Sequence, residues 1–81
     1  MFYTYVLKSK KDNKLYIGQT SNLFRRIIDH NLGLVKSTKH GKPFIKIYHE
    51  SIKTQSEAMK REKYFKTGVG REFLSKLIKD K

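Results

Sequence analysis

Apolar and polar positions alternate at the start of the chain and then change period. Residues 2 to 7 set Phe2, Thr4 and Val6 on one face and Tyr3, Tyr5 and Leu7 on the other, the period of a strand. A second run, about Lys14 to Thr20, sets Leu15 and Ile17 against Tyr16 and Gly18. Between them, Lys10-Lys11-Asp12-Asn13-Lys14 is turn-forming, so the two runs predict a hairpin. Gly18 weakens its strand and is expected to leave open space beside the tyrosines. A third run, Phe44 to Ser51, sets Ile45 and Ile47 against Phe44 and Tyr48.

After the hairpin the period is helical. Leu23, Phe24, Ile27 and Ile28 share a face with Asn31 among them. Thr20-Ser21-Asn22 offers N-caps, and Gly33 stops the helix near Asn31 or Leu32. Arg26 and His30 stack on one flank of that face, Arg25 and Asp29 on the other. Phase alone does not rank the two arginines. A capping box, Thr54-Gln55-Ser56-Glu57, opens a further helix that Gly68 is expected to end. Ala58 and Phe65 mark its inward stripe and Glu62 falls on it, with Lys60, Lys63 and Lys66 mostly outside. A carboxylate on an inward stripe is costly unless a cation or metal satisfies it. The tail, Gly70 to Lys79, turns Phe73, Leu74, Leu77 and Ile78 inward as a short amphipathic helix. Together these elements predict one domain, residues 1–81. It is of the α+β class, a small three-stranded antiparallel sheet flanked by helices in the order β-β-α-β-α-α.

Charge narrows the function. Nineteen Lys and Arg against seven Asp and Glu give a net +12, with a sequence pI near 10.1. In so short a chain that excess suits a polyanion, most often nucleic acid. The plainer alternative is a solubility charge or a ribosome-like basic protein. No basic amphipathic arm stands apart to suit a membrane surface. Cysteine is absent, which excludes disulfides and thiolate metal sites. The three histidines have no close partners, which argues against zinc. The N-terminus lacks a signal pattern, and no apolar run approaches the roughly 20 residues of a membrane span. A soluble, cytoplasmic protein is expected. Residues 33–43 form a basic loop in which Lys36, Lys39, His40 and Lys42 are candidate contacts to a nucleic-acid backbone.

Tyr3-Thr4-Tyr5 and Tyr16-Ile17-Gly18 resemble the paired tripeptides of the GIY-YIG endonuclease superfamily. Arg26, ten residues after Tyr16, falls where that family has its catalytic arginine, and His30 follows at i+4. Glu62 matches the metal-binding glutamate on the helix after the third strand. His30-Asn31-Leu32-Gly33, the stretch from Ser37-Thr38 to Pro43, and Ser56-Glu57-Ala58 through Glu62 resemble the small single-domain bacterial members, relatives of the excinuclease C subunit. The first tripeptide departs from Gly-Ile-Tyr, but keeps the final tyrosine on which the chemistry depends.

The resemblance implies a metal-dependent endonuclease hydrolysing phosphodiester bonds in DNA, structure-selective in repair or recombination. Tyr5, Tyr16, Arg26, His30 and Glu62 would be its catalytic residues. One Mg²⁺ or Mn²⁺ would sit on Glu62, and Arg26 would clamp phosphate oxygens with its planar fork. Tyr5 and Tyr16 would activate or orient the attacking water, the choice of proton acceptor leaning to Tyr5. Nearby cations are expected to favour the phenolate. His30 would orient a tyrosine, contact phosphate, or simply border the core. No additional DNA-binding domain is expected, so a protein partner that supplies targeting is a corollary. Two alternatives remain: a non-catalytic nucleic-acid-binding module of the same fold, and Glu62 as the structural ion-pair partner of Arg26.

Overall fold

The computed structural model describes residues 1–79. Strands β1 (Phe2–Ser9) and β2 (Leu15–Thr20) lead into helix α1 (Leu23–Asn31); a 3₁₀ turn (Lys39–Gly41) precedes β3 (Phe44–Ile52), and α2 (Gln55–Phe65) and α3 (Gly68–Lys79) follow. The sheet is antiparallel throughout in the order β2-β1-β3, so β2 is an edge and β1 is central. Class and element order are those the hydrophobic pattern predicts. The basic loop does contain a short regular piece, the 3₁₀ turn, where none is expected from its glycines and proline.

Being central, β1 is covered on both faces. Tyr5 and Leu7 pack with Phe44, against Tyr16 of β2 and Leu23 and Ile27 of α1. Val6, on the other face, packs with Phe65 of α2 and Leu74 of α3. Burying each such aliphatic or aromatic side chain stabilises the fold by roughly 1.5–3 kcal/mol. Thr4 is also fully buried; its hydroxyl donates to the Ala58 carbonyl at 2.8 Å and ties β1 to α2. In the hairpin, Asn13 takes a left-handed φ of 61°, a conformation asparagine tolerates, while Asp12 Oδ1 accepts from the Lys14 amide.

Asn22 caps α1, its Oδ1 accepting from the Arg25 amide at 3.1 Å. At the other end the helix is pinned to β3. The Phe44 amide donates to Asn31 Oδ1 at 2.6 Å, and Asn31 Nδ2 donates to the Phe44 carbonyl. The helix is nevertheless rotated from the predicted orientation, which leaves Asn31 at the border of the contact. Leu23 and Ile27 pack inward, but Phe24 is 84% exposed and Ile28 47%, and the buried helical residue is His30. The apolar arc is wider than the contact, and the Arg26–His30 flank turns to the sheet. Arg25 pairs with Asp29 at 3.1 Å on the solvent side.

Two further expectations are corrected. Phe44 and Tyr48 lie on opposite faces, because the pairing steps from Val6–Tyr48 to Leu7–Lys46 and skips one register position of β3. Such a bulge inverts the alternation beyond it. Gly68 does not end α2 but opens α3. The stop is at Lys66, and Thr67 caps the next helix, its Oγ1 accepting from the Gly70 amide at 3.1 Å.

Candidate active site

A cleft of about 570 Å³ runs along the open edge of β2. Its floor is Tyr5, Tyr16, Gly18 and Gln19; α1 and the following loop give Arg26, His30, Val35, Ser37 and Thr38; α2 and α3 give Glu62, Lys66 and Arg71. The five residues expected to be catalytic thus meet in one cavity. Lys36, Lys39, His40 and Lys42 are exposed on the loop but outside the lining.

Tyr5 is the centre of the site. Its side chain is only 3% exposed, and its hydroxyl makes two contacts with α1. Arg26 Nε donates to it at 3.4 Å, and His30 Nε2 lies 2.9 Å away. Gly18, paired opposite Tyr5 in the hairpin, makes room for this. A Cβ at Gly18 would stand 2.5 Å from the Tyr5 hydroxyl. The space expected beside the tyrosines is therefore filled by the Tyr5 phenol itself. The imidazole continues the chain: His30 Nδ1 lies 2.7 Å from Thr38 Oγ1, and that hydroxyl donates to the Val35 carbonyl at 3.4 Å. With the His30 proton on Nδ1, every link is satisfied, Tyr5 donating to Nε2 and Nδ1 donating to Thr38.

Burial sets the proton affinities. It pushes the Tyr5 phenol above the usual 10, with the Arg26 hydrogen bond and charge pulling only partly back. Tyr16 is also raised, by desolvation first and then by Asp12, whose Oδ2 accepts from its hydroxyl at 3.4 Å. Cations of the protein alone therefore do not favour the phenolates, contrary to expectation: removal of water outweighs them. His30 is lowered from 6.5 by burial and by the Arg26 charge, and is neutral at neutral pH.

Glu62 does not pair with Arg26. Its carboxylate accepts from Lys66 Nζ at 2.8 Å, across one turn of α2. Lys66 therefore faces the cleft rather than the outside as the helical phase suggests. Among the described residues no three His, Asp or Glu side chains gather to hold a metal. A single carboxylate suits Mg²⁺, which keeps most of its waters, and does not suit zinc. Gln19 Oε1, in the same lining, is buried without a hydrogen-bond partner, an oxygen left over for a hydrated cation. The donor set fits the expected ion.

Sequence reasoning missed Thr38 as the second partner of His30, and Lys66 and Arg71 as cleft residues. Lys66 stands at i+4 from Glu62, a spacing that signals the pair. No sequence signal places Arg71.

This is a nuclease-type domain, of a fold whose enzymes act on nucleic acid. The chain belongs to the GIY-YIG family: the model of the GIY-YIG catalytic domain matches residues 1–73. It is 46% identical over 66 residues to a UPF0213 protein of Staphylococcus haemolyticus, covering 80% of this chain and 79% of that one. A UPF0213 protein of Staphylococcus saprophyticus is 44% identical over the same length and the same shares. Among solved structures, the solution structure of the UPF0213 protein BH0048 from Bacillus halodurans superimposes with a TM-score of 0.57 at 32% identity, covering 95% of this chain and 85% of that one. No helix among the described residues is long and apolar enough to cross a membrane.

Proposed function

We propose that the β2-edge cleft is the active site of a metal-dependent endonuclease that hydrolyses phosphodiester bonds in DNA, with branched, nicked or single-stranded forms in repair or recombination as the substrate class. One observation carries this reading: the buried Tyr5 hydroxyl, held between Arg26 and His30, opens into the cavity that also contains Glu62.

Arg26 holds non-bridging oxygens of the scissile phosphate while its Nε remains against Tyr5. Tyr5 removes the proton of the attacking water, and its own proton passes to His30 Nε2 along the 2.9 Å bond already formed. Thr38 keeps the imidazole in the tautomer that can receive it. Tyr16, on the same floor, orients the water. Glu62 would hold one Mg²⁺ or Mn²⁺, which supplies Lewis-acid relief of the charge that develops on the phosphoryl group and the leaving oxygen. The basic surface, including Lys36, Lys39, His40 and Lys42, gathers the polyanion without reading its sequence. Targeting then falls to a partner protein.

The test is a panel of labelled DNA and RNA structures incubated with Mg²⁺, Mn²⁺ or EDTA. Folded Glu62→Ala and Arg26→Ala proteins run alongside. Metal-dependent cutting of DNA, lost in both variants, is the expected outcome. Binding without cutting in every lane, unchanged by Glu62→Ala, would leave a non-catalytic binding module.

A further inference from the structure

The α2–α3 junction, which packs on the face of the sheet opposite α1, puts two cations into the cleft. Lys66 is the C-cap of α2, and Arg71 stands in the first turn of α3. The junction between them is held firmly. Thr67 Oγ1 donates to the Tyr64 carbonyl at 2.6 Å and accepts from the Gly70 amide at 3.1 Å, and the Arg71 amide donates to the Thr67 carbonyl at 2.9 Å. Gly70 is buried, and a Cβ there would collide with the Tyr64 carbonyl oxygen and the Phe65 Cα. Only a glycine lets α3 begin so close to α2, and that approach delivers Arg71 to the cleft.

Helix stability does not explain Arg71. The first turn of a helix disfavours a cation, and this one contains no acidic residue to offset it. Among the described residues no carboxylate pairs with Arg71, and its amide, not its side chain, makes the bond to the Thr67 carbonyl. Lys66 is accounted for in part by its place at a helix C-terminus. Among the described residues its one side-chain partner, however, is Glu62, the carboxylate that would hold the metal. Were Glu62 to hold a cation, the Lys66 ammonium would lose this partner and would be available, with Arg71, in the same cleft lining.

We propose that Arg71, with Lys66, forms a second phosphate seat facing the Arg26 seat across the cleft. The cleft then takes two phosphates of one strand, the scissile one at Arg26 and its neighbour at Arg71, and its ligand is an internal stretch of backbone rather than a lone terminal phosphate. Its volume, about 570 Å³, lies in the range that holds a ligand of many atoms. This inference rests on the nuclease reading of the same site.

Two small probes separate the seats: thymidine 3′,5′-bisphosphate, with two phosphates, and thymidine 5′-monophosphate, with one. Each is titrated with Mg²⁺ into the ¹⁵N-labelled full chain and followed by amide chemical shifts. The parent is expected to bind the bisphosphate about tenfold more tightly, the effect of one charge-assisted phosphate contact. Arg71→Gln should remove that preference and leave the monophosphate unaffected, and Lys66→Met should reduce it. Lys53→Gln, exposed and outside the cleft, should preserve it. A preference that survives Arg71→Gln in the folded variant while Arg26→Gln weakens both probes would overturn the second seat alone. Absence of cleft shifts with either probe would overturn the nuclease reading together with it.

Discussion

Gly18→Ala tests whether the site depends on the Tyr5 hydroxyl lying against the backbone of β2. The added Cβ would meet that hydroxyl at 2.5 Å and Cζ at 2.7 Å, where ordinary contact begins at 3.4 Å. The phenol must therefore retreat by about 0.9 Å. It has little freedom to do so, because its ring is packed against Leu7 and Phe44 and its hydroxyl is bonded to His30. A retreat of that size lengthens the 2.9 Å bond to His30, or the 3.4 Å bond from Arg26, beyond hydrogen-bond range. Overpacking of this kind costs about 1–3 kcal/mol. Replacing glycine inside a strand returns roughly 0.5–1 kcal/mol. The net loss should be about 0–2.5 kcal/mol, centred on about 1 kcal/mol, a fall in Tm of up to ~20 °C for a domain of this size. Cutting should drop about 100-fold, the usual consequence of a 1 Å misplacement of a reacting group. Thermal unfolding by circular dichroism reads the first effect, and the imidazole nitrogen shifts of His30 report the broken link directly. A variant with the parental Tm and unmoved His30 shifts would refute the close approach on which the site is built.

The other predictions follow from the same contacts. Tyr5→Phe should reduce cutting by about 10²–10⁴-fold, the range for loss of a proton-transfer group, and cost about 1 kcal/mol by leaving His30 Nε2 unsatisfied; a turnover assay paired with urea unfolding separates the two effects. The His30 pKa is depressed in the folded state, so the unfolded chain takes up the proton first. Its stabilising contribution is complete above pH 6.5 and is lost as pH falls through the lowered value. His49 is depressed as well, so the measurement is the difference in Tm between the parent and His30→Gln from pH 8 to 5.5; parallel curves would contradict the buried neutral imidazole. Arg61→Ala should cost about 1–2 kcal/mol, because Arg61 makes a two-pronged contact to Glu50 at 2.8 and 3.0 Å and covers the Phe65 ring. That hydrogen bonding holds the Glu50 carboxyl below 4.5. The stability it confers is present above that pH and lost in acid, so the variant should show a shallower acid limb in a pH series of urea midpoints.

What was legible in the sequence follows the range of the interactions. Alternation found all three strands, because β1 is sandwiched between two layers and its neighbours must present matching faces. Caps found the start of α1 and α2, since Asn22 and Thr54 bond to amides three residues ahead. The tripeptides, Arg26, His30 and Glu62 converge because each lies on an element whose start is fixed locally. The misses are of a different kind. Rotation of α1 goes with the bonds of His30 to Tyr5 and Thr38, made to other elements, and nothing in the phase of Leu23, Phe24, Ile27 and Ile28 reveals it. The bulge in β3 depends on its pairing with β1. Gly68 could end one helix or begin another, and Thr67 settles the choice by capping α3.

These long-range contacts also decide between the two arginines of α1, which the sequence left equivalent. Asn31 anchors the end of the helix to β3, and His30, one residue earlier, bonds inward to Tyr5 and Thr38. Arg26, one turn before His30, must follow it onto the sheet side, while Arg25 is left to Asp29 in solvent. The choice of arginine is thus made by the inward contacts of its neighbour one turn on, His30. Loss of the guanidinium in Arg26→Ala should therefore not be rescued by the neighbouring Arg25. By the same reasoning Asn31→Ala should weaken cutting by loosening Arg26 and His30 together, with every cleft residue still present. A variant of Asn31 that loses stability but keeps full turnover and parental His30 shifts would show that α1 is oriented by its packing alone.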